Sequence, residues 1–497
     1  MLFNSFDFLV FFPVVCLGYY LIPYRFRYLF LLFASYFFYM CWNPKYILLL
    51  LTSTAATFFG GLLIDRAKKM EDEKKRNQFK KRILVGTLVL NFAILFFFKY
   101  FNFAVDTINH ILGILHIQPV NAAFDVILPV GISFYTFQAL SYIIDVYRGD
   151  IYCEKNFFKY ALFVSFFPQL VAGPIERSKN LLKQINVKHD FDAKRVQSGL
   201  ILMLYGLFQK MVISDNAAIV VDQVYNNLGE YGGIELMLAT ILFAFQIYCD
   251  FGGYSNVAIG AARVMGFDLM ANFDTPYLAN SVVDFWRRWH ISLTSWFRDY
   301  LYIPLGGNRK GKLRKYLNIL IVFLTSGLWH GASWHFVAWG GLNGVYQIVG
   351  QWTMKARERF CKWFHINVES FSHQLIKVIT TFIFVDISWI FFRAKSSREA
   401  LSIMAKMVTQ IHLQVLYDGT LQNLGLSGAM LKVFILSLLV LLAVDLMKFK
   451  KLDLIEMLCR QGIWFRYLFY LALIFSILLF GVYGPGFDES QFIYFQF

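Results

Sequence analysis

Charged residues, and the polar linkers they would build, are scarce in this 497-residue chain. Asp, Glu, Lys and Arg together make up 16% of the residues, whereas 58% are hydrophobic. In soluble domains roughly a quarter of the residues are charged, and a soluble chain of this length would divide into several domains joined by polar segments. The composition therefore excludes a soluble enzyme and predicts a single integral-membrane domain over residues 1–497.

Cysteine is also sparse, and its six copies show no paired spacing. This pattern excludes a disulfide framework and a zinc site. The formal net charge of +15 would indicate a nucleic-acid partner in a soluble protein. Here the basic residues lie in short loops between apolar runs, as they do on the cytoplasmic face of membrane proteins. We therefore expect no nucleic acid, and at most a secondary attraction to anionic lipid or to a polyanionic donor.

The chain has instead a series of apolar runs, each close to the ~20 residues that a helix needs to cross a bilayer. The first run has no basic leader and no cleavage site, which favours a retained span over a signal peptide. About twelve spans are predicted, near 5–22, 28–43, 46–64, 84–103, 126–146, 197–214, 234–262, 316–333, 335–352, 374–392, 429–447 and 463–485.

Two further apolar stretches are too interrupted for simple crossings. Residues 157–174 end in a proline- and glycine-containing motif between two basic loops, which indicates a re-entrant segment. Residues 284–302 alternate tryptophan with arginine, a pattern typical of a helix lying at the membrane interface. The predicted fold class is all-α: a polytopic membrane bundle with re-entrant and interfacial helices and a motif-rich core at about 126–350.

The distribution of Lys and Arg predicts the orientation. The segment from Arg66 to Arg82 is dense in both and is expected in the cytoplasm. Counting spans from it places both termini outside, together with the loop 215–233, which carries the acidic residues Asp215, Asp222 and Glu230. By the same count the basic residues from Arg393 to Lys406 also fall outside, where they are disfavoured. Either they snorkel at an interface or a later span is misplaced. The loops predicted inside are all basic: 175–196, 303–315, 353–373 and 448–462.

Two ionisable residues stand out against this apolar background. Asp250 lies within a long apolar span, where a carboxylate is costly and marks either a functional site or a helix-packing contact. His330 lies at a hairpin between two predicted spans, near the outer side. Its imidazole suits proton transfer, although a hydrogen-bonded packing histidine is the alternative for the residue taken alone. The spacing of His330 and His335 is not that of two metal ligands on one helix face, so metal catalysis is not expected.

Several segments resemble the membrane-bound O-acyltransferase (MBOAT) family, and specifically its alginate O-acetyltransferase (AlgI-like) branch. The branch that D-alanylates teichoic acid shares the string RRWHIS, whereas IPLGGNR is similar to the polysaccharide-acetylating branch. At residues 249–256 this chain reads CDFGGYSN, and Asn256 replaces a carboxylate usual in the branch. The matching segments are FNS (3–5), PVGISF (129–134), QLVAGPIER (169–177), FWRRWHISL (285–293), RDYLYIPLGGNR (298–309) and LWHGASW (328–334).

The resemblance implies an enzyme of the bacterial cytoplasmic membrane that moves an acetyl group from cytoplasmic acetyl-CoA through a tunnel to an extracytoplasmic acceptor. That acceptor would be an exported serine-hydrolase-like (SGNH) protein or a polysaccharide. Acetyl-CoA would be a substrate, with no bound cofactor. His330 would act as general base, and His290, near the cytoplasmic mouth in the predicted topology, would hold the donor or shape that opening. The substrate tunnel would also include Asp250, Arg288, Trp289, Arg298, Asn308, Trp329 and Ser333.

Two alternatives remain open at this point. One is transfer of D-alanine or another acyl group from a carrier protein to a cell-wall polymer. The other is a transporter or flippase, because broken helices and an intramembrane aspartate are also features of transporters.

Overall fold

The computed structural model describes residues 1–121, 128–171, 173–483 and 493. Throughout these residues the regular secondary structure is helical, interrupted by π-helical stretches at Phe96–Tyr100, Phe208–Ser214 and Arg298–Tyr302. The α-helices are α1 Phe6–Leu21, α2 Tyr24–Met40, α3 Ile47–Ala67, α4 Glu73–Leu95, α5 Phe101–Ile114, α6 Ile132–Arg148, α7 Phe157–Ser165, α8 Phe167–Leu170, α9 Ser178–Ile185, α10 Ala193–Leu207, α11 Asp215–Asn226, α12 Gly233–Val264, α13 Val282–Arg288, α14 Ile291–Phe297, α15 Lys312–His330, α16 Trp334–Trp352, α17 Met354–Trp363, α18 Phe371–Arg393, α19 Ser397–Thr409, α20 Gly428–Phe449, α21 Leu454–Cys459 and α22 Ile463–Phe480.

Each of the twelve predicted spans overlaps a helix, and the predicted all-α membrane bundle is confirmed, whereas the number of about twelve crossings stays a prediction. Residues 126–127 and 484–485, at the edges of two predicted spans, lie outside the described residues. Within the described part of the chain, seven helical stretches are long and apolar enough to cross a membrane: Pro44–Ala67, Glu73–Ile114, Ala193–Asn226, Gly233–Val264, Phe371–Arg393, Gly428–Phe449 and Ile463–Phe480.

The chain divides into two compact units. The first comprises Met1–Leu200 and Ala258–Met270, and the second comprises Ile201–Val257 and Ala271–Phe497. The single domain expected over residues 1–497 stays a prediction.

In the first unit, α3 packs against α4 and α6 through small residues. Gly61 of α3 lies so close to the ring of Tyr142 that an added Cβ would be 3.0 Å from it. The polar side chains on the same helix are paired: Ser53 donates to the Asn91 side chain at 2.6 Å, and Thr57 accepts the Tyr160 hydroxyl at 2.7 Å. Such pairing is required where no water reaches the helix surface.

The two interrupted motifs of the first unit fold onto each other. Gly131 has φ +74°, and a Cβ there would lie 2.6 Å from the backbone oxygen of Leu170. The side-chain amides of Gln138 and Gln169 both donate to the backbone oxygen of Phe163, at 2.6 and 2.9 Å. The predicted re-entrant segment is therefore two short helices, α7 and α8, whose freed carbonyl is satisfied by side chains. Ala172 of this motif lies outside the described residues.

The second unit is built on a helical hairpin of α15 and α16, connected by residues 331–333. Two glycines allow the backbones to touch. A Cβ on Gly327 would lie 2.2 Å from the Phe336 backbone oxygen, and one on Gly340 would lie 2.2 Å from that of Phe323. Helix α18 packs against α16, and α13 contacts both.

The tryptophans of α13 and the following residue point into this unit, so their rings are covered by protein and do not face lipid headgroups as the sequence pattern suggested. Trp286 and Trp289 are 5% and 1% exposed. Their ring centroids lie 5.6 Å from Trp339 of α16 and 5.0 Å from Trp389 of α18, respectively. The physical reason is that α13 has partners on α16 and α18 for its aromatic side, which leaves exposed Arg287 on the other side.

Candidate active site

His330 is the last residue of α15 and is buried at the turn of the hairpin, 3% exposed. Aromatic rings surround it: the centroids of Trp329 and Trp339 are each 5.0 Å from its ring, and that of Phe392 is 5.6 Å away. Such an enclosure excludes bulk water from the imidazole and fixes its direction. A group that must meet one reacting atom in one geometry benefits from both effects.

His290 lies between α13 and α14 and is fully buried. Its backbone has φ +44° and ψ +54°, a left-handed conformation that is uncommon for a residue other than glycine. The turn directs its ring to Phe251, with centroids 4.7 Å apart, and to Trp329, 5.9 Å away. Burial lowers the pKa of His290 to about 3, so its imidazole is neutral at physiological pH.

The two histidines lie side by side, with ring centroids 6.2 Å apart. The predicted topology had placed His290 at the cytoplasmic mouth and His330 near the outer side, and that separation is wrong. The reason is the left-handed turn after α13, which directs His290 into the second unit. A helix lying at the interface would have stayed at the surface of that unit. Trp329 contacts both rings and completes the cluster.

A polar network that the sequence reasoning missed holds the His290 turn in place. The buried Asn272 side chain accepts the Ser292 hydroxyl at 2.6 Å and donates to the Ser255 hydroxyl at 2.9 Å. The backbone oxygen of Asn272 accepts the N–H of Ile291 at 2.9 Å. These bonds clamp the residues that flank His290 on its C-terminal side. An asparagine in a connecting loop gives no sequence signal for this role.

Asp250 has a partner that was undetermined from the sequence. Lys210 lies between two carboxylates, with its Nζ 2.5 Å from Asp250 and 2.8 Å from Asp215, and all three side chains are nearly inaccessible. Asp250 also accepts the backbone N–H of Ile493 at 2.7 Å. Asp215 was expected in an outer loop, but the helix continues to Asn226 and buries it. The signal was available, since Lys210 is a lysine inside an apolar run.

A polar cavity of about 400 Å³ adjoins both features. The 331–333 turn after His330 forms part of its wall, and Phe392, which contacts the His330 ring, forms another part. The side chains of Asp215 and Gln246 are buried, and each has an oxygen without a hydrogen-bond partner. The charged and polar lining residues are Lys210, Ser214, Asp215, Asp222, Gln246, Ser333, His335, Arg393 and Lys395.

The remaining predicted tunnel residues divide into two groups. Trp289 is in the buried aromatic core, and Ser333 lines the cavity. Arg288 is bound to Asp284 at 3.1 Å, and Arg298 to Asp299 at 2.8 Å. Arg298 and Asn308 are exposed, and the contacts of neither bring it to His330. In the described residues, no group of three or more His, Cys, Asp or Glu side chains is placed to hold a metal ion.

Comparisons with known proteins identify the family of this chain. The profile of the membrane-bound O-acyltransferase family matches residues 37–393, which include His290, His330 and Asp250. A probable alginate O-acetylase AlgI from Pseudomonas aeruginosa is 37% identical over 451 residues, 90% of this chain and 82% of the relative. A peptidoglycan O-acetyltransferase from Helicobacter pylori is 35% identical over 440 residues, 82% of this chain and 80% of the relative.

A more distant relative is the teichoic acid D-alanyltransferase of Streptococcus thermophilus, 28% identical over 243 residues, which are 46% of this chain and 58% of the relative. The family match, the apolar spans and the buried histidine pair agree with one another. This chain belongs to the membrane-bound O-acyltransferase family and is a multi-pass O-acyltransferase of a bacterial membrane.

Proposed function

We propose that this enzyme transfers an acetyl group from cytoplasmic acetyl-CoA, through a tunnel, to a hydroxyl group on the extracytoplasmic side. The observation that carries the proposal is the His330–His290 pair, buried among aromatic rings with centroids 6.2 Å apart. Two relatives that each match more than four fifths of this chain are named as a probable alginate O-acetylase and a peptidoglycan O-acetyltransferase. That shared chemistry favours acetyl as the group transferred.

In the proposed reaction His330 acts as general base. The acceptor oxygen attacks the thioester carbonyl while the imidazole of His330 takes the hydroxyl proton. The carbon–sulfur bond then breaks, and the proton passes from His330 to the sulfur, which leaves as coenzyme A thiol. General-base catalysis accounts for ~10²–10⁴ of a rate enhancement. The enclosed aromatic site would add the effect of holding both substrates in one geometry.

We assign His290 to the reacting centre as well, because its ring lies beside that of His330. As a neutral imidazole it can both donate and accept a hydrogen bond, which suits it to orient the thioester or the attacking hydroxyl. Donor phosphates would meet the exposed basic loop around Arg298 and Asn308, where lysine and arginine side chains reach the surface.

The polar cavity is the proposed entrance for the acceptor. Its buried oxygens on Asp215 and Gln246 can accept hydrogen bonds from hydroxyl groups, and the turn that follows His330 forms one wall. The acceptor would be the serine of an exported serine-hydrolase-like protein, which passes the acetyl group to a polysaccharide, or the polysaccharide itself.

We also propose the orientation with both termini outside. Two contacts support this orientation. They involve Arg393 and Lys406, basic residues that the span count places outside, where basic residues are disfavoured. Arg393 is paired with Asp222 at 2.5 Å, and Lys406 donates to the backbone oxygen of Leu228. Both partners lie in the loop 215–233, which the span count places outside. The basic side chains are therefore compensated locally, and a misplaced span is not needed to explain them.

The experiment is acetyl transfer from radiolabelled acetyl-CoA in inside-out membrane vesicles that contain the enzyme and its acceptor. Wild type is compared with His330→Gln and with His110→Gln, which changes an exposed histidine of α5. We expect label on a lumenal protein or glycan with wild type and His110→Gln, and a loss of at least ~100-fold with His330→Gln. Equal labelling by His330→Gln, at equal amounts of folded protein, would overturn the assigned role of His330.

The donor is tested in the same vesicles. The similarity to a D-alanyltransferase keeps a carrier-bound donor as the second candidate. Labelling from D-alanyl carrier protein, with none from acetyl-CoA, would favour that candidate. Competition of unlabelled acetyl-CoA against the label would support the acetyl reaction.

A further inference from the structure

Helix α17, Met354–Trp363, buries none of its residues in the structure. One side of it is nevertheless aromatic. Phe360 and Trp363, with Phe364 just after the helix, are 54%, 78% and 55% exposed. Their rings contact one another, with centroids 4.5 Å apart for Phe360–Phe364 and 5.2 Å for Trp363–Phe364. An apolar surface of this kind requires a covering environment, which the described part of the chain does not supply.

The face of α17 next to the aromatic one is basic. Lys355, Arg359 and Lys362 are spaced by four and three residues, which places them on one face of a helix. All three are exposed, and among the described residues none of them is paired with a carboxylate. Glu358 is the single acidic residue of the helix. The helix therefore presents positive charge and aromatic rings on adjacent faces, an arrangement that suits a helix lying in a membrane interface.

The neighbours of α17 locate it at a membrane boundary. Trp352, at the end of α16, is 75% exposed, and Phe371, at the start of the candidate span α18, is 82% exposed. Exposed aromatic residues at the ends of membrane helices typically mark the headgroup level. Because α17 connects these two points through short segments, its aromatic face lies at the same level.

We propose that α17 lies flat in the membrane interface and binds anionic phospholipid headgroups. Lys355, Arg359 and Lys362 contact the headgroup phosphates, while Phe360, Trp363 and Phe364 insert at the boundary with the acyl chains. The charge of the basic face selects an anionic lipid over a zwitterionic one, by about fivefold for each basic residue near the surface. This binding is separate from acyl transfer and does not depend on the assigned donor or acceptor.

The test is fluorescence quenching of the full-length protein reconstituted in phosphatidylcholine vesicles. The vesicles contain either brominated phosphatidylglycerol or the same mole fraction of brominated phosphatidylcholine. The signal of Trp363 is obtained by subtracting the Trp363→Phe variant from the parent. We expect both lipids to quench Trp363, and phosphatidylglycerol to quench it severalfold more efficiently.

The matched variants separate charge selection from general lipid contact. Neutralising Lys355, Arg359 and Lys362 to Gln removes the preference for phosphatidylglycerol but keeps quenching by both lipids. Neutralising Arg309, Lys310 and Lys312 to Gln, three exposed basic residues around the start of α15, leaves the preference intact. The substituted side chains are exposed, so both variants are expected to fold. Equal quenching by the two lipids in the parent protein, or no quenching by either, overturns the proposal. The latter result would indicate that water or a partner protein faces α17.

Discussion

At the residue scale, the most costly feature of the second unit is its buried charge. Lys210 is compensated twice, by Asp215 and Asp250, and among the described residues neither carboxylate has another cation in contact. The free-energy cost of removing three ions from water is offset only while all three remain in contact. A single substitution in this cluster is therefore expected to destabilise the protein more than the change in side-chain volume alone would.

We predict that Lys210→Met destabilises the protein by ~3–5 kcal/mol, because it leaves two buried carboxylates without a cation. Adding Asp215→Asn and Asp250→Asn removes the stranded charges and restores part of the loss. Thermal unfolding in detergent measures both effects, with Lys312→Met at an exposed position as the control. A single variant as stable as the control would show that the ions are hydrated in solution.

His290 gives a pH-dependent contribution to stability. Its folded pKa of about 3 lies below the unfolded value of about 6.5, so the contribution is fully present above pH 6.5 and is lost as the pH falls. Between pH 7.5 and 5.5 we expect a loss of ~1 kcal/mol from this residue. The measurement is the pH dependence of thermal stability in wild type minus that in His290→Asn, since asparagine tolerates the left-handed backbone. Identical pH profiles would contradict the prediction.

Some residues of the site were predictable and others were not. His330, His290 and Trp329 stand in recognisable motifs, and the structure brings them together. Asn272 and Ser292 contribute only through hydrogen bonds to segments distant in sequence, and polar residues in loops are too common to single them out. Arg298 and Asn308 belong to a segment that resembles the family, but both are exposed and lie outside the buried site.

At the element scale, the α15–α16 hairpin holds His330 in position, and its close packing depends on glycine. We predict that Gly327→Ala or Gly340→Ala costs ~1–3 kcal/mol, because each added methyl group would meet a backbone oxygen of the other helix. Gly350→Ala, also in α16, has open space around it and should gain up to ~1 kcal/mol from helix propensity.

Thermal unfolding and acetyl transfer are both measured for the three glycine variants. The first two should lose activity together with stability, because the crossing positions the end of α15. If Gly327→Ala behaved like Gly350→Ala, the two helices would have to be farther apart than described.

The element boundaries show where sequence reasoning fails in physical terms. Apolar runs predict spans because length and hydropathy are local properties, and each of the twelve overlaps a helix. The segment of α13 and α14 was misjudged because tryptophan beside arginine is equally compatible with an interface and with a buried aromatic face. The choice is made by α16 and α18, which lie far away in sequence. Asp215 was misplaced because a π-helical stretch extends its helix beyond the apolar run.

At the scale of the whole molecule, the predicted orientation can be tested with the protein's own cysteines. Cys41 is exposed after α2, and Cys361 is partly exposed on α17. The proposed topology places Cys41 outside and Cys361 inside. In variants that retain one cysteine each, a membrane-impermeant maleimide added to spheroplasts should label Cys41 directly and Cys361 only after permeabilisation. Labelling of both from the same side would contradict the span count between them.

The π-helical stretch Phe208–Ser214 has a consequence for insertions and deletions. A π-turn holds one residue more than an α-turn, so this span carries a surplus residue between Lys210 and Asp215. Deleting one residue there would restore regular α geometry and rotate everything after it by about 100°. Asp215 would turn away from Lys210 although no charged group had been removed. In this part of the chain the ion pair between Lys210 and Asp215 therefore depends on the number of residues as well as on which residues they are.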